Sequence, residues 1–158
     1  MLDSDNIVFI QSGVSISLAA CGSDRLASMS RGMGCKVLDG GRRVGVFIKR
    51  SQSADLLENV RRSGKVANVF SLPSSNRTVQ LKGIDAQVQP FDPADFSIVE
   101  AHVADFVKEV LPLGLPEEVV RTLFACAADD LATVVYSPCA AFSQTPGPKA
   151  GEPLGGAR

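Results

Sequence analysis

Five consecutive residues, 49–53, at the end of the first third of the chain combine positive charge with hydroxyl groups. Lys49 and Arg50 supply two cations, and Ser51 and Ser53 supply two hydroxyls. Ser53 also stands where a helix is predicted to begin, and the free N–H groups of a helix N-terminus bind anions. Cations, hydroxyls and free N–H groups together favour a dianion such as a phosphate. The segment is therefore a candidate phosphate site, although a basic pair here is also typical of a solvated strand end.

Cysteine and histidine are too few and too scattered to predict a metal site. The four cysteines, Cys21, Cys35, Cys126 and Cys139, form no CxxC pair, and His102 is the only histidine. A structural zinc site needs four such ligands, usually in closely spaced pairs. We therefore expect no metal ligands and reduced thiols. A lone histidine also argues against a catalytic triad, and no residue is named as catalytic.

Composition narrows the class of protein. A length of 158 residues fits one domain, and 45% hydrophobic content allows a real core. Sixteen basic and seventeen acidic residues give a net charge of −1, and the basic pairs are dispersed. This balance argues against nucleic-acid binding. No apolar run approaches the roughly 20 residues of a membrane helix, and the acidic start lacks the basic region of a signal peptide. We expect a cytoplasmic protein with no membrane partner.

Hydrophobic periodicity predicts the elements that position these groups. Alternation with period two predicts strands, and the Gly-containing turn at 39–41 predicts a hairpin. A helix is predicted from Ser53, as its cap, to Gly64, as its stop. Five strands are predicted before residue 90: 14–20, 25–38, 43–49, 65–72 and a long strand 77–89 interrupted at Gly83.

The second half predicts two helices and a sixth strand. The helices begin near 92 and 116, and the apolar run 131–136 predicts the strand. The expected organisation is one domain over 1–142 and a tail over 143–158, where three prolines and four glycines exclude a regular element. The tail is either disordered or an extended segment that wraps a partner. Six mostly hairpin-connected strands predict a closed or nearly closed barrel.

Three stretches, in this order, resemble strands of one family. They are 28–36, in which an arginine follows small residues and a lysine ends the segment, 44–48, and 77–83. Together they resemble the pyridoxamine 5′-phosphate oxidase-like, FMN-binding split barrels, over about Ser12 to Ala141. The resemblance implies an α+β fold that is mainly β, a six-stranded antiparallel split barrel with flanking helices. It also implies a homodimer with flavin mononucleotide (FMN) in a groove between the subunits.

The resemblance carries cofactor-binding roles onto particular residues. Arg31 and Lys36 match basic positions that face the cofactor, Phe47 an aromatic before the phosphate loop, and Thr78 a polar position near the ring. Met33 joins this lining set. The alternatives are that Arg31 is a strand arginine paired with a carboxylate or solvent, and that Met33 fills the core or a dimer interface.

Two positions depart from the family pattern. Ile48 stands where a phosphate-binding threonine is usual, and Leu56 stands near the position of a helix lysine. The cations and hydroxyls of 49–53 are the candidate substitutes. The segment that binds pyridoxal phosphate in true oxidases is not recognisable, so pyridoxamine phosphate oxidation is not expected.

Three functions remain open at this point. The first is an FMN-binding protein; if it is an oxidoreductase acting on a small metabolite, the flavin does the electron chemistry. The second is a split-barrel binding or regulatory module that has lost the flavin. The third is a haem-handling relative, which is disfavoured because the only imidazole, His102, falls in a predicted helix.

Packing requirements also predict a homodimer. We expect apolar residues Met29, Met33 and Val46 to lack enough cover within one chain, as in obligate interfaces that resemble a core cut in half. Gly32 and Gly34 are expected to let the ring or the partner's backbone come close.

Overall fold

One antiparallel sheet contains all the strands that the structure, a computed structural model, shows among residues 2–22 and 26–154, the residues it describes. In chain order the elements are α1 (Ser4–Ile10), β1 (Ser15–Cys21), β2 (Ala27–Leu38), β3 (Arg43–Lys49), α2 (Ala54–Ser63), β4 (Val66–Ser71), β5 (Thr78–Gly83), β6 (Gln87–Pro90), α3 (Phe96–Val110), α4 (Glu117–Leu123), β7 (Leu131–Tyr136) and β8 (Ala140–Ser143). The order across the sheet is β6-β7-β3-β2-β1-β4-β5-β8. The predicted class, mainly β with flanking helices, is confirmed.

The predicted number of strands was wrong, because the sheet has eight rather than six. The predicted strand 77–89 is two strands: β5 pairs with β4, whereas β6 pairs with β7 at the other end of the sheet. The chain turns between them, and the Ala86 N–H donates to the Gly64 carbonyl at 2.9 Å. The remaining strand, β8, pairs with β5. Since β6 and β8 do not pair with each other within the described residues, the sheet is open.

Strand β2 changes partners along its length. It pairs with β1 up to Arg31, and its register with β3 begins at Gly32 and shifts before Cys35. Among the described residues, no strand pairs with the other edge of residues 27–31. The sheet is therefore split next to β2, and backbone N–H and C=O groups are available there for another partner.

Two apolar clusters lie on the two sides of the sheet. One fills the inside of the curved sheet, with Ile16, Val46 and Phe70 among its members. The other lies under α3 and α4 and includes Met33 and Phe47. Within the described residues, no helix combines the length and apolar character needed to cross a membrane.

Two of the three apolar residues expected to lack cover within one chain are buried, so that expectation was wrong for them. Met33 is 2% exposed and Val46 is 0% exposed in the chain by itself, because each lies inside one of the two clusters. Met29 is 71% exposed. Of these three residues, only Met29 therefore has a side chain that would gain cover from a partner.

The glycines of β2 make room for the chain's own side chains. A Cβ at Gly32 would lie 2.5 Å from Ile16 Cγ2, and one at Gly34 would lie 3.4 Å from Phe47 Cδ2. Gly34 also has φ of 144°, a conformation that other residues rarely adopt. Gly32 is therefore required by the chain's own core, and Gly34 by its backbone conformation.

Candidate functional site

The free edge of β2 faces the start of α2 across a cavity of about 460 Å³. The β2 side contributes two hydroxyls, Ser28 and Ser30, which flank the exposed Met29. The other side is formed by the short 3₁₀ turn Arg50–Gln52 and the first turn of α2. The lining residues are Ala27, Ser28, Met29, Ser30, Ser51, Gln52, Ser53, Ala54, Asp55 and Leu56.

The N-terminus of α2 has no side-chain cap. Ser53 occupies the cap position, as predicted, but its hydroxyl makes no capping hydrogen bond, whereas Gly64 ends the helix in the left-handed conformation as predicted. Uncapped N–H groups at a helix N-terminus carry partial positive charge and attract anions. Asp55 lies in this first turn and lines the same cavity, so one carboxylate already partly complements the helix dipole.

A second cavity of about 220 Å³ continues from the first toward the basic residues. It is lined by Met29, Ser30, Arg31, Met33, Lys49, Gln52, Ser53 and Leu123. Four of these residues also line the first cavity, so the two form one groove. We call it the β2–α2 groove, lined by residues 27–31, 33, 49, 51–56 and 123.

Arg31 provides positive charge at this end of the groove. Its side chain is exposed, and its guanidinium carbon lies 5.6 Å from the ring centroid of Phe124. Among the described residues, no carboxylate lies within ion-pair distance of Arg31. The guanidinium donors are therefore open to an anionic ligand or to water.

Lys49 and Ser51 donate hydrogen bonds to the segment before β7. Lys49 Nζ donates to the Ala125 carbonyl at 2.7 Å. Ser51 donates twice to Asp130, from its backbone N–H at 2.9 Å and from its hydroxyl at 2.6 Å. These two bonds, together with the charges of Lys49 and Arg50, lower the pKa of the Asp130 carboxyl. A carboxylate of the chain itself thus occupies the donors of Ser51.

The only histidine lies in the core beside the groove. His102 packs against Phe106 and Phe124, with ring centroids 6.5 and 5.8 Å away, and its Nε2 has no hydrogen-bond partner within the described residues. Burial lowers the pKa of His102 to about 4, and the positive charge of Arg31 acts in the same direction. His102 is not a lining residue of the groove.

Sequence comparison finds no relative: no protein-family model and no curated protein matches the chain. Comparison with solved structures does find matches. A Lactobacillus delbrueckii protein, provisionally named a pyridoxamine 5′-phosphate oxidase, is 19% identical with a TM-score of 0.55, covering 89% of this chain and 93% of its own. The chain has the fold of the pyridoxamine 5′-phosphate oxidase-like proteins.

Two further proteins with this fold have different names. An F420 reductase is 14% identical with a TM-score of 0.55, and the match covers 85% of this chain and 93% of that one. HutZ, the haem storage protein from Vibrio cholerae, is 13% identical with a TM-score of 0.52, and the match covers 90% and 94%. At these identities the likeness establishes the pyridoxamine 5′-phosphate oxidase-like fold and leaves the ligand open.

Six of the nine predicted cofactor residues lie in or beside the groove. Lining residues are Arg31, Met33, Lys49, Ser51 and Ser53. Arg50 lies in the adjoining 3₁₀ turn and is exposed to solvent.

The other three, Lys36, Phe47 and Thr78, lie outside the groove. Lys36 forms an ion pair with Asp95 at 2.5 Å, before α3. Phe47 is fully buried in the cluster under α3. The Thr78 hydroxyl is 2.7 Å from that of Ser71, and Thr78 lies in β5, which β1 and β4 separate from β2 in the sheet. Their partners are therefore groups of the chain itself.

Several polar residues of this region were not among the predicted site residues, including Ser28, Ser30, Gln52 and Asp130. A signal existed for the two serines, because they alternate with Ala27 and Met29 and so share one face of a strand. Nothing local points to Asp130, which is 79 residues from Ser51.

No metal site accompanies the groove. Among residues 2–22 and 26–154, no cluster of three or more cysteine, histidine, aspartate or glutamate side chains could hold a metal ion. The groove therefore offers hydroxyls, cations and backbone groups as its binding chemistry.

Proposed function

We propose that the β2–α2 groove binds FMN. The observation that carries this proposal is the meeting of the unpaired edge of β2 with the uncapped start of α2 across one cavity. An unpaired strand edge and an uncapped helix each need hydrogen-bonding partners. FMN is a planar polar ring joined to a phosphate, so one ligand can supply both partners. The fold shared with a protein named as a pyridoxamine 5′-phosphate oxidase supports the same ligand.

The residues of the groove fit the two ends of FMN. Arg31 and Lys49 offer charge for the phosphate, and Ser53 with the first N–H groups of α2 offers neutral donors. The backbone of residues 27–31 offers donors and acceptors for the polar edge of the ring, and Met29 offers an adaptable apolar contact. The cavity volume of about 460 Å³ falls within the ordinary range for small-molecule sites, about 300–1,000 Å³.

A bound flavin would itself supply the electron chemistry of an oxidoreductase acting on a small metabolite. The chain's contribution would be to hold the phosphate through Arg31, to orient the ring along β2 and to exclude water from its face. The surface that covers the open side of the groove would determine which substrate reaches the flavin.

We propose that a second copy of the chain, in a cytoplasmic homodimer, provides that cover. Met29 and Leu123 line the groove and are 71% and 46% exposed. Large apolar side chains at the rim of a polar groove favour a protein surface over water as their neighbour. A partner there would complete the wall of the site.

A flavin-free binding module is the second candidate. Ile48 and Leu56, which replace the family's phosphate-binding threonine and lysine, are 0% and 1% exposed. Both side chains are aliphatic and pack in the core, so neither can donate a hydrogen bond to a phosphate. The Asp130 carboxylate in turn accepts hydrogen bonds from the Ser51 N–H and hydroxyl. These observations favour weak binding of phosphate, or none.

The haem alternative finds less support in the site. The fold is shared with HutZ, a haem storage protein, but His102 is buried among aromatic rings and does not line the groove. A haem in the groove would therefore lack an imidazole ligand from the described residues.

Ligand titration of the purified protein tests the proposal. We expect FMN to bind with quenching of flavin fluorescence, and haemin to produce no shifted Soret band. Ser30→Tyr should fill the groove and weaken FMN binding at least tenfold, about 1.4 kcal/mol. The matched control is Ser74→Tyr, at an exposed serine in the turn before β5. Absence of FMN binding to the folded protein would leave the flavin-free module.

A further inference from the structure

Asp130 lies directly beside the segment that carries the candidate phosphate donors. β3 and β7 pair antiparallel with Lys49 opposite Leu131, so the residue after Lys49 faces the residue before Leu131. Continuing this register brings Asp130 against the 3₁₀ turn Arg50–Gln52. The carboxylate uses both oxygens there, one on the Ser51 N–H and the other on the Ser51 hydroxyl.

The donors around Asp130 are those that would bind a phosphate oxygen. An N–H and an O–H converge on one anionic group, at 2.9 and 2.6 Å. The charges of Lys49 and Arg50 act on the same carboxylate. Ser51 also lines the larger cavity of the groove. The turn is therefore an anion-binding position already filled by an anion of the chain.

We propose that Asp130 is the specificity-determining residue that limits how strongly the groove prefers a phosphorylated flavin over an uncharged one. The inference rests on the proposed function. An incoming phosphate must either displace the carboxylate from Ser51 or lie beside it and be repelled by it. A flavin without a phosphate meets neither obstacle. The wild-type protein should therefore favour FMN over riboflavin by less than Arg31 and Lys49 would provide without Asp130.

Displacement is physically accessible because Asp130 is on the surface. Its carboxylate bonds to Ser51 are solvent-exposed, so water can replace Ser51 as the hydrogen-bonding partner of the carboxylate. Rotation of the side chain into water exposes the N–H and O–H of Ser51 without opening the core. Asp130 can thus govern affinity for the ligand without being essential to the fold.

Titration of Asp130→Asn with FMN and riboflavin tests the inference. The asparagine Oδ1 keeps an acceptor for Ser51 and removes the negative charge. We expect FMN to bind about tenfold more tightly than to the wild type, the equivalent of one hydrogen bond to a charged group. Riboflavin affinity should stay within about twofold. Asp129→Asn is the matched control. It removes the same charge from the neighbouring residue, which makes no hydrogen bond to Ser51. It should leave the ratio of the FMN and riboflavin affinities near the wild-type value.

The outcomes separate this inference from the proposed function. If both flavins bind and Asp130→Asn leaves their ratio unchanged, the role of Asp130 is overturned and the proposed function stands. The same conclusion follows if Asp129→Asn raises FMN affinity equally, because the effect is then general charge. If neither flavin binds any folded variant, both proposals are overturned.

A measurement on the wild-type protein covers the case in which Asp130→Asn does not fold. We expect saturating FMN to shift the NMR signals of the Ser51 amide and the Asp130 carboxyl carbon, and riboflavin to leave the carboxyl signal unshifted. Unshifted signals in a protein that binds FMN would show that the carboxylate stays on Ser51 and does not compete.

Discussion

Asn68 donates a hydrogen bond from its Nδ2 to the hydroxyl of Tyr136 at 3.1 Å, and both side chains are buried. Asn68 lies in β4 and Tyr136 lies in β7, and three strands separate these two in the order of the sheet. The bond therefore crosses the inside of the curved sheet and joins its two halves. Burial raises the pKa of Tyr136, which keeps the hydroxyl protonated. This buried polar contact therefore holds β4 and β7 at a set distance from each other across the core.

Tyr136→Phe should destabilise the protein. The substitution removes the acceptor for Asn68 Nδ2, while Asn68 Oδ1 already lacks a partner within the described residues. Leaving a buried donor unsatisfied costs about 1–3 kcal/mol, and urea denaturation should show a loss of that size in the free energy of unfolding. The double variant Tyr136→Phe, Asn68→Leu should lose less than the single one, because neither polar partner is then left alone. Equal stability of Tyr136→Phe and the wild type would contradict this account.

The free energy of unfolding should decrease as the pH is lowered below neutrality, because of His102. Its pKa is about 4 in the folded protein, mainly through burial, against about 6.5 when unfolded. Between these values the unfolded chain binds more protons than the folded one. The stabilising contribution is therefore complete above pH 6.5 and is lost as the pH falls toward 4, by roughly 3 kcal/mol in total.

Denaturation at several pH values checks this prediction with a clean control. His102 is the only histidine of the chain, so His102→Phe removes the one imidazole and keeps an aromatic ring between Phe106 and Phe124. The variant should show a smaller slope of stability against pH between 6.5 and 4 than the wild type. Identical slopes would mean that His102 is solvated or finds a partner when charged.

The sequence predicted those strands and helix ends whose local hydrophobic pattern or turn residues match the strand pairing found in the structure. Alternation with period two and the turn at 39–41 predicted β1, β2 and β3, and Gly64 predicted the end of α2. The interruption at Gly83 was predicted, but residues 77–89 were still interpreted as one strand, although the apolar positions change phase there, from 79 and 81 to 84, 86 and 88. Helix α1 was missed as well, although Asp3 caps it by accepting from the Asn6 N–H at 2.8 Å. Short elements held by tertiary contacts give little signal of their own.

The site was predictable only in part, for a related physical reason. Basic and hydroxyl residues can be read from the chain, but their partners come from distant segments. Lys36 meets Asp95, and Ser51 meets Asp130. Arg77 illustrates the limit, because its guanidinium lies 4.1 Å from the ring centroid of Phe9 and helps attach α1 to the sheet. Residue type indicates which chemistry is possible, whereas pairing across the fold decides which groups remain free.

Dimerisation should depend on Met29. We expect dimer at micromolar concentration in sedimentation, because Met29 is 71% exposed at the rim of the groove. Met29→Lys should shift the protein toward monomer, since a charge would be buried without a partner. Val8→Lys is a control of equal exposure, 70%, on α1, and it should remain dimeric. A wild-type protein that sediments as a stable monomer would remove the second copy from the proposed site.

Arg31 should contribute to binding of the phosphate. Among the described residues no carboxylate pairs with it, and it lines the groove with Lys49 and Ser53. Arg31→Ala should weaken FMN binding by roughly 1.5–3 kcal/mol, the worth of a hydrogen bond to a charged group, and should affect riboflavin much less. Added salt should narrow the difference between the ligands, because exposed charges are screened.

Two further variants decide which cations act on the phosphate. Arg42→Ala removes an equal charge from the hairpin turn, where Arg42 donates to the Asp39 carbonyl at 3.1 Å outside the groove, and it should leave FMN binding unchanged. The double substitution Lys49→Ala, Arg50→Ala removes the two cations beside Ser51. Made in the Arg31→Ala protein, it should abolish the remaining preference for FMN over riboflavin. If the wild type binds FMN and riboflavin equally, and Arg31→Ala leaves both affinities unaltered, then Arg31 is only an exposed strand residue and the ring alone is recognised.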